Sequence, residues 1–266
     1  SGIWWGEPTD VRAEGRKAWV VFGLTVRYLL TTRRGIATAL LAAVPLILAV
    51  GLALARVATF DILLFQSLMV PLFLQVILIF VTLVQATSLI REEIEDNTLP
   101  FLLTRPVSKP AVALYKYAGY LVAILVLLLP PLILAYAITQ AYAGDPLGSD
   151  LNVLGAFLLA TVLGSAAYGA FFMFLSVLLR KPLAAGLLFG FVWESIVGSI
   201  PGNVPMLSII HYLKSILKGM VPVGPLSGYA SDISVTTAVL VLGAFTLAAL
   251  VLAMIVFQTS EFRQKA

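Results

Sequence analysis

The sequence predicts an all-α polytopic membrane protein with six transmembrane helices. Three observations carry that prediction. Of the 266 residues, 61% are hydrophobic and 11% charged, apolar runs recur at lengths that suit a bilayer, and lysine and arginine fall unequally between alternate loops. A soluble domain keeps roughly a quarter of its residues charged to cover its surface. The mean hydropathy of +1.03 places lipid, not water, around much of this chain.

From the N-terminus, 1–34 is expected to be a cytoplasmic and interfacial segment. Residues 11–32 are apolar enough to seek a membrane but carry Arg16, Lys17 and Arg27, which suits a helix lying in the interface. A soluble amphipathic helix docked on a partner is the alternative. Trp4, Trp5 and Trp19 fit the headgroup preference of aromatic residues. The chain opens Ser1-Gly2 without a signal-peptide arrangement, as a processed or tagged terminus would.

A transmembrane domain is expected over 35–260. A span needs about 20 predominantly apolar residues, and that rule places helices near 36–58, 62–90, 111–140, 151–179, 183–200 and 233–258. The second, third and fourth exceed one bilayer thickness and should tilt or project. Pro201-Gly202 is expected to stop the short fifth span. Pro45, Pro71, Pro130 and Pro131 are tolerable kinks where neighbours satisfy the freed carbonyls. Small residues from Gly155 to Gly169, and the Gly186 and Gly190 pair, mark closely packed faces without naming what packs there. A tail follows at 261–266.

Fourteen of the lysines and arginines lie before the first span, between the second and third, between the fourth and fifth, and after the sixth; three (Arg56, Lys214 and Lys218) lie in the alternate loops. The positive-inside rule then sets both termini in the cytoplasm of a multi-pass protein of the cell membrane. The scattering of basic residues in short clusters argues against nucleic acid as a partner.

Within the external segment 201–232, Ile209, Tyr212, Leu213, Ile216, Leu217 and Met220 recur at helical spacing while Ser208, His211, Lys214, Ser215 and Lys218 gather opposite. A short helix resting on the membrane or capping the bundle is expected. His211, the single histidine in a chain without cysteine, makes a poor metal ligand and excludes H-E-x-x-H chemistry. Gln66, Gln75 and Gln85 read as packing residues ahead of a polar path. Glu194 is the one acid deep within a predicted span. An intramembrane carboxylate points to function, as a hydrogen-bond partner between helices, a pathway or gate residue, or a proton carrier.

The cytoplasmic loop 91–110 carries the densest polar signal. It reads Arg91-Glu92-Glu93-Ile94-Glu95-Asp96-Asn97-Thr98-Leu99-Pro100-Phe101-Leu102-Leu103-Thr104-Arg105-Pro106-Val107-Ser108-Lys109-Pro110. An acidic turn followed by an apolar one suits a short helix that docks on a cytoplasmic protein, whereas a solvated connector has no need of Leu99, Phe101, Leu102 and Leu103. No lysine follows a glycine, so there is no G-x-x-x-x-G-K-[ST] phosphate loop, and no catalytic motif marks the chain as an enzyme. Energy for any transport must come from elsewhere.

At this loop the chain resembles the ATP-binding-cassette type-2 (ABC-2) exporter permease family. That family's loop reads Glu-x-Glu-x-Gly-Thr-Leu, two leucines, Pro-Val-Ser-Arg and a later Gly-Lys. Glu93, Glu95, Thr98, Leu99, Leu102, Leu103, Pro106, Val107 and Ser108 match it. Asn97 replaces the glycine, Lys109 the arginine, and Tyr115-Lys116 stands for Gly-Lys; asparagine tolerates a left-handed backbone and lysine keeps the charge. The resemblance implies a permease that pairs with a second permease as a homodimer or heterodimer, binds two cytoplasmic ATPase subunits, and holds no cofactor itself, ATP and Mg residing on the ATPases. It implies that Glu92, Glu93, Glu95, Thr98, Leu99, Leu102 and Leu103 couple to the ATPase. It favours the first two readings of Glu194. The mostly apolar spans suit a hydrophobic or amphipathic cargo. The rival expectations are an ion-coupled secondary transporter using Glu194, and a membrane assembly subunit that moves nothing.

Overall fold

The computed structural model describes residues 22–95, 109–179, 181–197, 200, 204–221 and 223–259, and in these the fold is helical with no strand. Helix α1 covers 22–31. α2 runs Arg33–Leu54, with its second segment, Val44–Leu54, opening at Pro45. α3 comprises Ile62–Met69, a π-helical Val70–Ile77 and Leu78–Glu95. α4 is Lys109–Ala143, unbroken through Pro130 and Pro131. α5 is Leu151–Leu178. α6 comprises Pro182–Leu187, a π-helical Leu188–Trp193 and Glu194–Val197. α7 is Ile209–Met220 and α8 is Val235–Thr259.

Five of these helices are long and apolar enough to cross a membrane, and α6 is a shorter apolar one. The fold is therefore that of a polytopic membrane protein. Large apolar side chains point outward along it, as lipid requires: Leu40, Leu54, Leu240 and Leu247 are each at least 66% exposed.

α5 is the hub. It packs against α3, α4, α7 and α8, and its middle is lined by buried Ala156, Ala160, Gly164, Ala167, Tyr168 and Gly169. The small residues set which neighbours come close. A Cβ on Gly164 would stand 2.7 Å from a methyl of Leu78 and 2.9 Å from one of Leu213, so this glycine admits α3 and α7 together. Gly186 receives Leu83 and Gly190 receives Ile79, which lays α6 antiparallel along α3. The packed faces read from small residues thus acquire partners.

α1 docks at one end of the bundle. Gly119 of α4 approaches Phe22 and Thr25, and the Gln85 amide donates to Leu29 O at 3.3 Å and to Thr38 Oγ1 at 2.6 Å. Gln85 therefore ties α1, α2 and α3 together. Trp4, Trp5 and Trp19 lie outside the described residues, as do Pro201 and Gly202.

Candidate functional site

Glu194, the one buried acid among the described residues, sits at the end of the short apolar helix α6. α6, at 1.5 Å per residue, is about 24 Å long and α7 about 18 Å, against about 42 Å for α5. The two follow one another along the bundle. α6 runs beside α3 from Gly186 to Glu194, and α7 starts beside Glu194 and runs along α5 toward its first turn, where Asn152 Nδ2 donates to Met220 O at 3.4 Å. Of the two forms expected for this helix, resting on the membrane or capping the bundle, the structure shows one packed against the bundle: Ile209, Ile210, Leu213, Ile216 and Leu217 are buried. Its apolar face finds α5 and α8, and Leu213 reaches the gap left by Gly164.

Glu194 is 3% exposed and meets the first turn of α7. Ser208 Oγ donates to its Oε2 at 2.5 Å, Ile210 N–H to Oε2 at 3.0 Å and Ile209 N–H to Oε1 at 3.1 Å. A helix leaves its first N–H groups without intrahelical partners and its dipole positive there. A carboxylate from a neighbouring helix answers both needs, in place of the capping side chain that Ser208 does not supply. On the other side of Glu194, fully buried Tyr168 of α5 turns its hydroxyl toward the carboxylate without reaching hydrogen-bond geometry with it or with any other described group.

The polar face of α7 is covered by 229–234. His211 Nδ1 lies 2.6 Å from Tyr229 Oη, Ser215 Oγ 2.7 Å from Ser231 Oγ, and Lys218 Nζ donates to Ser231 O at 2.8 Å. His211 is thus occupied by a tyrosine, and among the described residues no group of three potential metal ligands forms. Lys214 places its ammonium 5.6 Å from the centroid of the Tyr229 ring.

A cleft of about 90 Å³ opens beside Glu194, lined by Gln75, Ile79, Gly190, Glu194, Ser195, Ile210 and Lys214. Gln75 belongs to the π-helical turn of α3 and Gly190 to that of α6. Pro71, which has no N–H to give, stands at the start of the first of these turns. π-helical turns inside α-helices frequently mark functional sites. Here two of them face each other across the cleft beside Glu194.

The three glutamines separate in this geometry. Gln85 binds helices together, Gln66 packs under Gly224, and Gln75 lines the cleft. Lys214, absent from the sequence-derived site, joins Glu194 in lining the cleft, and Tyr168, equally absent from it, lies buried next to Glu194. The helical spacing of Ile210 and Lys214 was the available signal for the lysine; nothing in the sequence pointed to Tyr168.

At the other end of the bundle, Glu92, Glu93 and Glu95 lie on the last turns of α3. Thr98, Leu99, Leu102 and Leu103 lie outside the described residues. The helices that flank this loop are joined by buried Lys116 of α4, whose Nζ donates to Leu89 O of α3 at 3.2 Å.

Long apolar helices around a central one, with a shorter apolar helix ending at a polar cleft, define a multi-pass membrane protein. Residues 20–201 match the ABC-2 family transporter protein, and the chain belongs to that family as a membrane subunit of an ABC-type transporter. A search of the curated proteins finds no match.

Proposed function

We propose that this chain is the moving membrane half of an ATP-driven exporter, paired with a second permease and powered by two separate cytoplasmic ATPase subunits that hold the ATP and Mg. Both termini and the loop 91–110 face the ATPases in this reading. The observation that carries it is the position of the acidic and leucine-bearing loop, inside the family-matched stretch, between the two helices best placed to move the bundle. α3 leads from that loop to the π-helical turn beside Glu194, and α4 leads back along the hub. The Lys116 to Leu89 bond makes the two act together at their base, so a displacement of the loop reaches the cleft beside Glu194 through packed helices.

Glu92, Glu93 and Glu95 would pair with basic residues of the ATPase and set its register, with Thr98, Leu99, Leu102 and Leu103 filling an apolar recess; charge at such a contact governs orientation and on-rate more than affinity. The cargo is hydrophobic or amphipathic, in keeping with an outer surface of the bundle that is apolar. Reversing Glu93 and Glu95 to lysine is expected to lower copurification with the ATPase and cargo-stimulated ATP hydrolysis by at least about tenfold, the change that about 1.4 kcal/mol of lost coupling produces. Unchanged assembly and stimulation in that variant would remove the loop from the coupling path.

A further inference from the structure

We propose that the cleft between α3, α6 and α7 receives an anionic headgroup, the phosphate or carboxylate of a membrane-borne amphipath, on the ammonium of Lys214 and the amide of Gln75. The inference deepens the exporter reading, on which it rests for the identity of the headgroup's owner as cargo.

Lys214 is partly buried and, among the described residues, its Nζ makes no hydrogen bond or ion pair; the Tyr229 ring is its neighbour. A lysine set within a membrane bundle is costly without a paired anion, and a cation beside a half-buried tyrosine ring recovers only part of that cost. The nearest acid does not supply the pairing. Glu194 already accepts three bonds from the start of α7, two of them from backbone N–H groups at the positive end of that helix. It also lines the cleft and its charge acts on Lys214, but among the described residues no hydrogen bond or ion pair joins the two side chains. Gln75, on the facing wall, likewise has no hydrogen bond to a described residue.

The cleft thus presents an ammonium and an amide with donors unused. Ile210 and Lys214, one helical turn apart, bring one stripe of α7 into it. Its volume of about 90 Å³ is well below the roughly 300 Å³ at which sites enclosing drug-sized ligands begin, so it admits one small headgroup and leaves the remainder of the molecule outside. The outward surfaces beside it are apolar: Val76 on α3 and Val192 on α6 are both more than one-third exposed. An acyl chain would lie against these while its headgroup entered. Lys214 also lies beyond the stretch matched to the family, 20–201.

The test measures lipid retention on the purified chain in detergent by native mass spectrometry, with no ATPase present, so its result stands apart from that of the coupling experiment. Phosphatidic acid is expected to be retained at least about tenfold more strongly than phosphatidylcholine or phosphatidylethanolamine. Lys214→Met should abolish that preference and Lys214→Arg preserve it. Lys218→Met, which removes an ammonium bound to Ser231 O, should leave it intact. Thermal unfolding identifies folded variants, and Gln75→Leu, expected to weaken the preference several-fold, serves if Lys214→Met does not fold. Inorganic phosphate that raises the melting temperature of the wild type but not of the lysine variant would assign these same groups to a free anion; no such shift, with the lipid preference present, assigns them to the lipid. Equal retention of the three lipids by the wild type, or an unaltered preference in folded Lys214→Met or Gln75→Leu, overturns the proposal.

Discussion

Replacing Glu194 by alanine is expected to release α7 from the bundle and abolish transport. The substitution leaves Ser208 Oγ, Ile209 N–H and Ile210 N–H without the acceptor they share. A buried donor left unsatisfied costs about 1–3 kcal/mol, so three of them amount to about 3 kcal/mol at the lower end. The loss falls on a helix of 12 residues, too short to hold its shape without tertiary support. Thermal unfolding in detergent should show a clear drop in the melting temperature. Glu194→Gln retains one oxygen, can serve at most two of the three donors, and should fall between wild type and alanine in stability while keeping much of the ATP-driven flux. A folded glutamine variant with no flux would instead place the carboxylate in proton chemistry.

A Cβ at Gly169 is expected to be the most damaging single methyl in the hub. Built on α5, it would lie 2.3 Å from Tyr120 Cε1 and 2.6 Å from both Cζ and the hydroxyl. The ring cannot give way easily. Tyr120 is fully buried, stacks on Tyr117 with centroids 5.8 Å apart, and donates its hydroxyl to Ser165 O at 3.1 Å. Overpacking costs about 1–3 kcal/mol, and displacing the hydroxyl adds about 1 kcal/mol for the lost bond. Gly169→Ala should therefore lower the melting temperature markedly. In a Tyr120→Ala background, which already carries the cost of the lost ring, the same methyl should cost less than it does in the wild type, because the space it needs is empty. Gly51, whose added Cβ would meet nothing within 4 Å, provides the contrasting site: Gly51→Ala should be nearly neutral or mildly stabilising within a helix.

Both sites show how far the sequence carries this fold. Length and hydropathy decide where a chain can cross lipid, because backbone polar groups must be satisfied within the crossing segment. The helices at Arg33–Leu54, Ile62–Leu89 and Val235–Phe257 are accordingly close to their predicted positions. The same rule cannot tell an uninterrupted span from two half-length helices in succession. α6 and α7 read separately as a short span and a short external helix on the membrane or capping the bundle, and what joins them is the three-dimensional meeting of Glu194 with Ser208, Ile209 and Ile210. The amphipathic pattern of α7 was legible, but what covers its polar face was not: Tyr229 and Ser231, rather than water or headgroups, occupy His211, Ser215 and Lys218. Glu194 was conspicuous as a charge in an apolar run. Tyr168 was one aromatic among many, and its relation to Glu194 depends on the register of α5 against α6, which no local periodicity encodes. The loop 91–110 has the opposite character, since its residues announce themselves by composition and order while 96–108 fall outside the described residues.

The measurement that tests the central claim most directly is flux of an amphipathic reporter in proteoliposomes containing this chain, its permease partner and the cytoplasmic ATPase. The account predicts transport that requires ATP and the ATPase together, and that collapsing ion gradients leaves intact. Gradient-driven transport by the chain without an ATPase would contradict it in favour of ion coupling through Glu194; assembly with the ATPase but no flux of any reporter under ATP would contradict it in favour of a subunit that organises a membrane complex without moving cargo.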